Sequence, residues 1–526
     1  MKKILSILFI LPMLSSCSYG QVHKKYANLI TESTSKAHLT VLASPAFEGR
    51  GTGQAGGKKA ADYIAEQFKQ YGLKTITADN SYFQPVSLIR TGYQVDYFKI
   101  GQEDYAFGKD FFVTADNNFS DINATDIVFV GYGLQDDKYN ELKNVDVKDK
   151  IILLINEGEP YDTQGNSLLT QSKQQSEWSS SRFKRIQALL RLKPKMILAT
   201  GPGAQKMINQ GSDRNVTGRI SLDDGKDYDN RRPMQPIPVV HILEATADKI
   251  LAKGNSSLAA FVKNAAQGPQ AALHIPVTVN SKMGIRIDRI FDPNVLGMIE
   301  GSDRKNEYVI VSGHYDHDGI LPNGVIFPGA DDNASGTVAV LELARVFAKA
   351  KADGNGPRRS LIFIALAAEE KGLLGSQYYV ENPLVPLENT VVNMNIDMIG
   401  RIDDIHLKTG DPNYIHAIGL DKLSSELQSI TEKVNAEHTK LKLDYTYNDP
   451  NEPMKLYYRS DHYNFAKKGI PAAFFFSGLH PDYHTPNDTV DKIEFPLMVK
   501  REKLIFYTLW EIANRDKKIV VDSNKK

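Results

Sequence analysis

The chain has 526 residues, which is more than one hydrophobic core ordinarily organises, so its length predicts at least two domains. Hydrophobic residues make up 41% and charged residues 24%, a balance typical of a globular enzyme. Lys plus Arg and Asp plus Glu each number 63, so the net charge is zero. A neutral chain has no electrostatic basis for binding nucleic acid or an anionic membrane surface, and we expect neither partner.

Residues 1–21 have the features of a signal peptide. Lys2 and Lys3 precede an apolar run from Ile4 to Leu14, which is too short to cross a bilayer as a helix. The following Leu14-Ser15-Ser16-Cys17 resembles a bacterial lipobox, and Cys17 is the only cysteine of the chain. We therefore expect export to the periplasm or cell envelope with a lipid anchor on Cys17. The alternative is ordinary cleavage near Gly20; either way the mature chain has no disulfide.

Residues 22–119 are predicted to form the first part of the main domain. Residues 22–35 are polar and predict a mobile lead-in. Apolar residues then recur at helical spacing from Ser35 to Phe47 and from Gly57 to Tyr71. The Gly-rich stretch between them, Glu48 to Gly53, has no clear strand before it and no P-loop lysine after it. We interpret it as a structural turn and not as a phosphate site.

Residues 120–278 differ from their surroundings in sequence pattern and are predicted to form a smaller, β-rich inserted domain. Short apolar runs predict buried strands at Asp126–Gly133, Lys150–Ile155, Lys195–Thr200 and Val239–Leu243. A helix is predicted from Arg182 to Leu192. This block contains no cluster of candidate ligands.

Strands and helices alternate in residues 279–526, the predicted main part of the larger domain. The predicted strands are Val295–Ile299, Tyr308–Val311, Ser360–Ala367, Val391–Ile396 and Ala472–Phe476. The predicted helices are Gly336–Ala350, Leu373–Val380, Leu420–Val434 and Leu497–Ala513. Apolar strands joined through helices predict an α/β fold with a largely parallel, doubly wound sheet. In such sheets, ligand sites lie at the carboxyl ends of the strands.

Histidine and carboxylate side chains follow these predicted strands, at the ends where that rule expects a site. They are His314, Asp332, Glu369, Glu370, Asp397 and His484. Asp332 lies in the turn Gly329–Gly336, which opens a helix, and the others follow or end a strand. The intervals between them are long enough for strand–helix crossovers, so we expect these side chains to converge.

The ligand types predict a centre with two metal ions. With Glu369 set aside, five candidate ligands remain, and two imidazoles and three carboxylates without a thiolate suit Zn²⁺, Mn²⁺ or Co²⁺. Five ligands exceed the three that a single catalytic zinc ordinarily takes. They suit two ions about 3.5–4 Å apart that share one bridging carboxylate. Each ion would then bind one His, one carboxylate of its own and the shared carboxylate.

The stretches that carry these residues resemble a known family. They read G-H-x-D, G-A-D-D-N-A-S-G, A-A-E-E, N-I-D-M and Y-H-T-P-N-D, in that order. They are similar to those of the M28 family of co-catalytic zinc peptidases, and the similarity extends to Glu48–Leu73. The inserted block resembles the protease-associated domain that many members carry. The resemblance implies the zinc-dependent exopeptidase fold, two zinc ions, and removal of the first residue from peptides with a free N-terminus by a hydroxide between the ions.

The resemblance also implies which residues hold the metals. His314 and Asp397 would hold one ion, and Glu370 and His484 the other. Asp332 would bridge the two, with a cis peptide bond to the residue that follows it. Asp331 is expected to point away from the metals.

Further roles follow from the same resemblance. Glu369 would be the general base, which takes a proton from the attacking water and passes it to the leaving amine. Tyr483 is a candidate donor to the tetrahedral oxyanion. Asp316 would orient the imidazole of His314. The stretch Arg459–His462 resembles a recurrent segment near the pocket, while His317, His462 and His480 are expected behind the ligands or on the surface.

Three alternatives to an aminopeptidase remain at this point. A carboxypeptidase or dipeptidase of the same family shares the ligands and would need an arginine in the pocket, for which Arg401 and Arg459 are the candidates. A glutaminyl cyclase on a related fold works with one zinc, and retention of five ligands argues against it. A non-catalytic binding protein of this fold would have lost ligands, whereas this chain has lost none.

Overall fold

The structure is a computed structural model that describes residues 19–209, 218–225, 235–321 and 324–523. Cys17 and most of the predicted signal peptide lie outside these ranges, so the lipid anchor stays a prediction. The chain divides into two compact units, of which the first comprises residues 1–88 and 290–526 and the second residues 89–289. Within the described ranges, no helix is both long enough and apolar enough to span a membrane.

The first unit is built on a largely parallel sheet, as predicted. Counted from one edge, its strands are Lys442–Asp444, Tyr414–Ile418, Ala472–Phe476, Thr390–Ile396, Arg304–His314, Arg359–Leu366, the end of Val279–Ile299 and the start of Phe83–Ile100. We call three of them by the ligand they carry or precede: the His314 strand (Arg304–His314), the Glu370 strand (Arg359–Leu366) and the Asp397 strand (Thr390–Ile396). These three and Ala472–Phe476 run parallel. The strands that flank these four pair with them antiparallel.

Helices cover both faces of this sheet. Alternate residues of the Glu370 strand face opposite ways: Ile362 and Ile364 pack in a cluster with Tyr379, whereas the ring of Phe363 lies 6.5 Å from that of Phe347. Every residue of the strand is buried, which explains its continuous apolar sequence. The helices of the unit are Tyr19–Ala27, Glu32–Leu42, Ala55–Gln70, Gly336–Ala352, Leu374–Glu381, Asp404–Thr409, Ser425–Val434, His462–Lys467 and Phe495–Asn514. The doubly wound α/β prediction is confirmed.

The prediction of a mobile lead-in at residues 22–35 was wrong. Most of this segment lies in the helix Tyr19–Ala27 and the start of Glu32–Leu42, and the second helix begins with a capping box between Thr31 and Thr34. Tyr26 is fully buried and stacks on Trp510 of the last helix at a centroid distance of 5.8 Å. The segment is polar on average, but a few apolar residues fix it by long-range contacts that composition does not reveal.

The second unit has its own six-stranded sheet. The strand order is Leu273–Ile275, Ile127–Phe129, Ile151–Ile155, Met196–Thr200, Val239–Ile242 and Phe111–Thr114. The four inner strands are parallel and the two outer ones antiparallel. Its other strands are Glu103–Asp104, Ser120–Ala124 and Arg219–Leu222, and its helices include Glu177–Ser180, Arg182–Arg191, Glu244–Ala252 and Leu258–Ala265. The last two helices were not predicted, so the unit is more mixed in structure than the β-rich domain expected.

The second unit starts at Ile89 and ends at Arg289, whereas composition placed the insertion at residues 120–278. The chain enters the unit within the strand Phe83–Ile100 and leaves it within the strand Val279–Ile299. A strand that continues through a boundary offers no change of composition or turn signal, which explains the difference. The relation of this unit to the protease-associated domain stays a prediction.

Candidate active site

The five predicted metal ligands lie together at one edge of the sheet in the first unit. His314 Nε2 is 3.3 Å from Asp397 Oδ1 and 3.6 Å from Asp332 Oδ1. His484 Nε2 is 3.2 Å from Asp332 Oδ2 and 3.3 Å from Glu370 Oε2. The two oxygens of Asp332 therefore face different histidines, which is the arrangement expected of a bridging carboxylate. Of the remaining ligands, His314 lies next to Asp397 and His484 lies next to Glu370, which are the two predicted pairs.

The spacing of these donor atoms fits divalent cations. Ligand atoms about 2.0–2.1 Å from a tetrahedral ion lie about 3.3 Å from one another, whereas a direct hydrogen bond is shorter. Asp397 Oδ1 is buried and makes no hydrogen bond to any described residue. Buried carboxylates are costly unless positive charge compensates them. The residues present therefore fit two bound metal ions.

Burial and mutual repulsion raise the pKa values of three acidic side chains here, whereas at Asp397 burial is outweighed by His314 and Ser460, which lower its pKa. Burial is the main cause that raises the pKa of Glu370 to about 7, against the opposing effect of His484. Burial also raises the pKa of Glu369 well above its usual value, and Glu370 and Asp397 add to the effect. The pKa of Asp332 is raised by burial and by Glu370. Shifts in this direction indicate a site where bound positive charge is favourable.

Left-handed backbone conformations occur beside the ligands. Ala368, which precedes Glu369, has φ 54°; Met398, which follows Asp397, has φ 53°; and His484 itself has φ 52°. None of the three is glycine, and each such conformation costs roughly 1–3 kcal/mol. They lie where the chain turns after a strand, so the fold supports local strain at the positions that present ligands.

The turn that carries Asp332 is tied to the end of the Asp397 strand. The side-chain amide of Asn333 donates to Ile396 O over 3.0 Å and accepts from Met398 N over 3.0 Å. The peptide bond between Asp332 and Asn333 is cis, as the resemblance implied. Asp331 accepts the main-chain N–H of Gly400 over 2.6 Å and so points away from the metal ligands, as expected.

Arg50 holds the segment before this turn, and sequence reasoning missed it. Its guanidinium is fully buried and donates to the carbonyls of Gly329 (2.7 Å), Pro328 (2.8 Å) and Tyr315 (2.8 Å). The Glu48–Gly53 stretch is thus a structural turn, as predicted, but one that fixes the metal-binding turn. Nothing in an arginine between glycines indicates which distant carbonyls it will reach.

Asp316 acts differently from the prediction. His314 Nδ1 lies 3.1 Å from the main-chain carbonyl of Asp316, whereas the carboxylate Oδ1 is 3.8 Å away. The carboxylate instead accepts from the main-chain N–H of Glu369 over 3.0 Å and from the Thr52 hydroxyl over 2.8 Å. Asp316 therefore orients the imidazole through its backbone, and its side chain positions the candidate general base.

Within the stretch Arg459–His462, Ser460 is a residue that contacts a candidate metal ligand. Its hydroxyl donates to Asp397 Oδ2 over 2.7 Å and accepts from the Asn395 amide over 2.8 Å. Asp397 is left with Oδ1 towards His314. His462 is buried and stacks on Phe474 with ring centroids 4.9 Å apart, so it is a packing residue.

The ligands border a cleft with about 350 Å³ of empty space. Glu369 and Tyr483 line it together with the ligands His314, Asp332, Glu370 and Asp397. The cleft is also lined by Met398, Leu456, Phe474, Phe476 and Leu479. Arg459 borders the cleft too and donates to Tyr483 Oη over 3.4 Å, whereas Arg401 is engaged with Asp482 over 2.9 Å. The lining thus combines acidic and apolar side chains with one arginine.

Two neighbouring residues contact the ligands of one metal position: His317, which was expected behind the ligands or on the surface, and Asp318, which was not singled out from the sequence. His317 Nδ1 lies 2.8 Å from Glu370 Oε1, and Asp318 Oδ2 lies 2.9 Å from His484 Nδ1. His480, which was also expected behind the ligands or on the surface, is buried with Nε2 3.4 Å from Asp331 Oδ2.

A second group of His and Asp side chains lies away from the cleft. Asp403 contacts His406 Nδ1 and His416 Nε2, each over 2.8 Å, and Asp444 contacts the other nitrogens of both rings at 3.4–3.5 Å. The 2.8 Å distances are those of hydrogen bonds, in contrast with the spacing at the cleft. We interpret this group as a buried hydrogen-bonded network and not as a metal site.

Comparison with known proteins agrees with this geometry. Residues 294–509 match the model of peptidase family M28, and all five ligands, Glu369 and Tyr483 fall within them. These residues belong to peptidase family M28. Aminopeptidase YwaD of Bacillus subtilis (strain 168) is 30% identical over 242 residues, which are 43% of this chain and 46% of that protein.

Other known proteins are similar to this chain at lower identity. A probable zinc metalloprotease of Pyrenophora tritici-repentis (strain Pt-1C-BFP) is 27% identical over 312 residues, 50% of this chain and 58% of that protein. The chain therefore spans about half the length of the curated relatives it matches. Among solved structures, an aminopeptidase from Aneurinibacillus sp. strain AM-1 covers 95% of this chain and 98% of its own, with 21% identity and a TM-score of 0.48.

Proposed function

We propose that this M28 chain is a metallo-aminopeptidase that removes the N-terminal residue from peptides. The observation that carries the proposal is the convergence of five metal-type ligands beside a cleft that Glu369 and four of these ligands line. Several similar proteins are named as aminopeptidases, which supports the same substrate class. Zinc is the metal that we propose, because the ligands are imidazoles and carboxylates at zinc-like spacing.

Different residues of the cleft have different roles in hydrolysis. Two divalent ions held by the five ligands would polarise the scissile carbonyl and make water more acidic. Glu369 accepts the proton that water loses as it attacks the carbonyl carbon. The same carboxyl then gives that proton to the leaving amine as the C–N bond breaks. Burial raises the pKa of Glu369, so its carboxylate accepts a proton more readily than an exposed one.

Tyr483 is the candidate stabiliser of the oxyanion. It lines the cleft beside the ligands, and burial raises the pKa of its hydroxyl far above neutrality. The hydroxyl therefore keeps its hydrogen and can donate it to a developing negative charge. Its contact with Arg459 holds the phenol at the edge of the cleft.

The apolar lining of the cleft is suited to the side chain of the residue that is released. Leu456, Phe474, Phe476 and Leu479 offer hydrophobic surface in the same cleft as the acidic residues. A substrate with a free amino group and a hydrophobic first side chain matches both kinds of lining residue. We therefore propose that hydrophobic N-terminal residues are preferred.

One observation favours a second function. Arg459 borders the cleft and is exposed, so it could pair with the carboxylate of a substrate, as a carboxypeptidase or dipeptidase would require. Arg401, the other candidate, is engaged with Asp482 and does not line the cleft. Only Arg459 therefore keeps this alternative open.

Matched peptides test the proposal directly. The purified mature protein would receive peptides with free ends, with acetylated N-termini and with amidated C-termini, each with and without a chelator. We expect chelator-sensitive release of the first residue from every peptide with a free N-terminus, amidated or not. Equal cleavage of acetylated peptides with none of amidated ones would replace this proposal with the carboxypeptidase. Zinc-loaded protein that cuts no set would return the cyclase and the binding protein to consideration.

We further propose that the chain is exported and anchored by lipid on Cys17. The support is the sequence of residues 1–17, with two lysines, an apolar run and a lipobox-like end. Metabolic labelling with a fatty acid in a bacterial host tests this: the wild type should be labelled in the membrane fraction, and Cys17→Ala should not. Export without labelling would leave ordinary cleavage as the explanation.

A further inference from the structure

The neighbouring residues His317 and Asp318 each hold one ligand of the same metal position. The mechanism above assigns no role to either. That position, which we call the second metal position, is defined by Glu370, His484 and one oxygen of Asp332. Every ligand that it does not share with the other metal position is contacted by this pair of residues.

His317 fixes which oxygen of Glu370 faces the metal position. Its Nδ1 lies 2.8 Å from Glu370 Oε1, and because a carboxylate only accepts, Nδ1 carries the hydrogen. Glu370 Oε2 is thereby left towards His484 Nε2, 3.3 Å away. A monodentate ligand with its second oxygen held by an N–H donor is better oriented than a free carboxylate.

The fold makes room for the His317 ring and holds its backbone. His317 is fully buried, and its main-chain N–H donates to Arg50 O over 3.3 Å. Gly329 has φ 55°, and a Cβ there would lie 2.5 Å from His317 Cδ2. The ring therefore occupies a space that only glycine at position 329 leaves open.

Asp318 fixes the orientation of His484, the most exposed ligand. The side chain of His484 is 33% exposed, compared with 1% for His314, and it extends from a loop. Asp318 Oδ2 accepts from His484 Nδ1 over 2.9 Å, which leaves Nε2 towards Asp332 and Glu370. A carboxylate behind a metal-binding imidazole sets both its tautomer and its orientation.

We propose that His317 and Asp318 are positioning residues that set the metal affinity of the second position alone. The inference rests on the two-metal centre of the proposed function and deepens it. The first position, with His314 and Asp397, is oriented by other groups: the Asp316 carbonyl and the Ser460 hydroxyl. The two positions therefore have separate supports, which can be removed one at a time.

Zinc binding tests the proposal without relying on peptidase activity. Apo-protein would be titrated with Zn²⁺ in competition with a chromophoric chelator, for the wild type and for His317→Ala, Asp318→Ala and Ser460→Ala. We expect the wild type to bind two ions and the first two variants to lose about 10–100-fold in affinity for one of them. Ser460→Ala is the matched control, with the loss at the other ion. Anomalous diffraction at the zinc edge shows which position is depleted.

Conservative variants separate positioning from damage to the fold. His317→Gln keeps an N–H donor and Asp318→Asn keeps an acceptor, so each should retain more affinity than the alanine variant at the same position. Equal weakening of both ions, or two ions bound as tightly as by the wild type, would overturn the proposal. A wild type that binds fewer than two ions would overturn the metal centre as well. Two ions with selective losses but no peptide cleavage would sustain this inference and reject the proposed reaction.

Discussion

The carboxylate of Asp488 accepts the main-chain N–H of Asp332 over 3.0 Å and thereby holds the bridging ligand from behind. It also accepts the main-chain N–H of Asp331 with both oxygens, at 3.1 and 3.0 Å. Asp488 is fully buried, and burial, with the nearby Asp331, raises its pKa to about 6. The last residue of the motif Y-H-T-P-N-D thus fixes the turn of another motif, G-A-D-D-N-A-S-G, far away in sequence.

Replacement of Asp488 should loosen the bridge between the metals. Asp488→Ala leaves two buried N–H groups without an acceptor, at about 1–3 kcal/mol each. We therefore expect a loss of about 2–6 kcal/mol in the free energy of unfolding, together with weaker zinc binding. Urea denaturation and zinc titration measure the two effects. Asp491→Asn, an exposed change in the same segment, should alter neither; unchanged zinc affinity in Asp488→Ala would contradict this role.

The fold was largely predictable because its strands are buried on both faces. The strand predicted at Ser360–Ala367 is observed at Arg359–Leu366, and Ala472–Phe476 matches at both ends. The strand Tyr414–Ile418 was missed, although it is fully buried. It contains a histidine and is only five residues long, so its apolar signal is weak. Its place in the sheet depends on pairing with Ala472–Phe476, which is a long-range contact.

The metal ligands were predictable, and the groups behind them were not. Four of the candidate ligands follow or end a strand and Asp332 lies in a turn that opens a helix, each in a short polar motif, so residue type and position both point to them. Arg50, Ser460 and Asp318 act through partners that lie far away along the chain. The spacing of His314 and Asp316 predicted a contact between them but not which atom of Asp316 makes it. An imidazole at this spacing can reach either the carboxylate or the main-chain carbonyl.

Glu369→Gln should abolish proton transfer and leave metal binding intact. The amide cannot accept the proton from water, so we expect kcat on leucine p-nitroanilide to fall by about 10²–10⁴-fold. The five ligands are unchanged, so zinc content by atomic emission should remain that of the wild type. Glu388→Gln, an exposed isosteric change, serves as the control. A variant that retains most of its activity would assign the base to another group.

Removal of metal should destabilise the first unit. The cluster brings the buried Asp332 and Asp397 together with the partly buried Glu370, and bound cations would offset the repulsion among these carboxylates. Free zinc at 100 times its dissociation constant would stabilise the folded state by about 2.7 kcal/mol per site. Calorimetry with and without 1,10-phenanthroline should therefore show a lower transition temperature in the chelator. His484→Asn should reduce this difference, and an identical transition in both conditions would contradict metal binding.

The variant Arg459→Gln distinguishes an aminopeptidase from a carboxypeptidase or dipeptidase. In an aminopeptidase this side chain contacts only Tyr483 at the cleft edge, so kcat/KM for peptides with an amidated C-terminus should change by less than about tenfold. In a carboxypeptidase or dipeptidase it would bind the substrate carboxylate, and its loss should lower kcat/KM about 100-fold or more. Steady-state kinetics on free and amidated forms of one dipeptide distinguish these outcomes. Arg401→Gln is the matched control, because its partner Asp482 lies outside the cleft.

The network of His416 should make stability depend on pH. Burial lowers the pKa of His416, but its contacts with Asp403 and Asp444 outweigh this and raise the pKa above its usual value. Burial raises the pKa of Asp403, but the bonds from His416 and His406 together outweigh it and lower the pKa. The pKa of Asp444 is lowered mainly by its contact with His416. A raised histidine pKa stabilises the fold below about pH 6.5, and the effect is lost as the pH rises through the folded value. The lowered carboxyl pKa values stabilise the folded state above about pH 4, and this stabilisation is lost as the pH falls below that value.

The contribution of the network should therefore be greatest between about pH 4 and 6.5 and decline towards alkaline pH. His416→Gln removes the imidazolium from between two carboxylates, and we expect a loss of about 3–5 kcal/mol in the free energy of unfolding at pH 5.5. At pH 9 the difference from the wild type should be smaller, because the wild-type histidine is then losing its proton. Denaturant titration of both proteins from pH 4 to 9 measures it. His274→Gln, at a more exposed histidine 3.9 Å from Asp126, should show no such trend; a difference that stays constant with pH would mean that His416 is neutral and only packs.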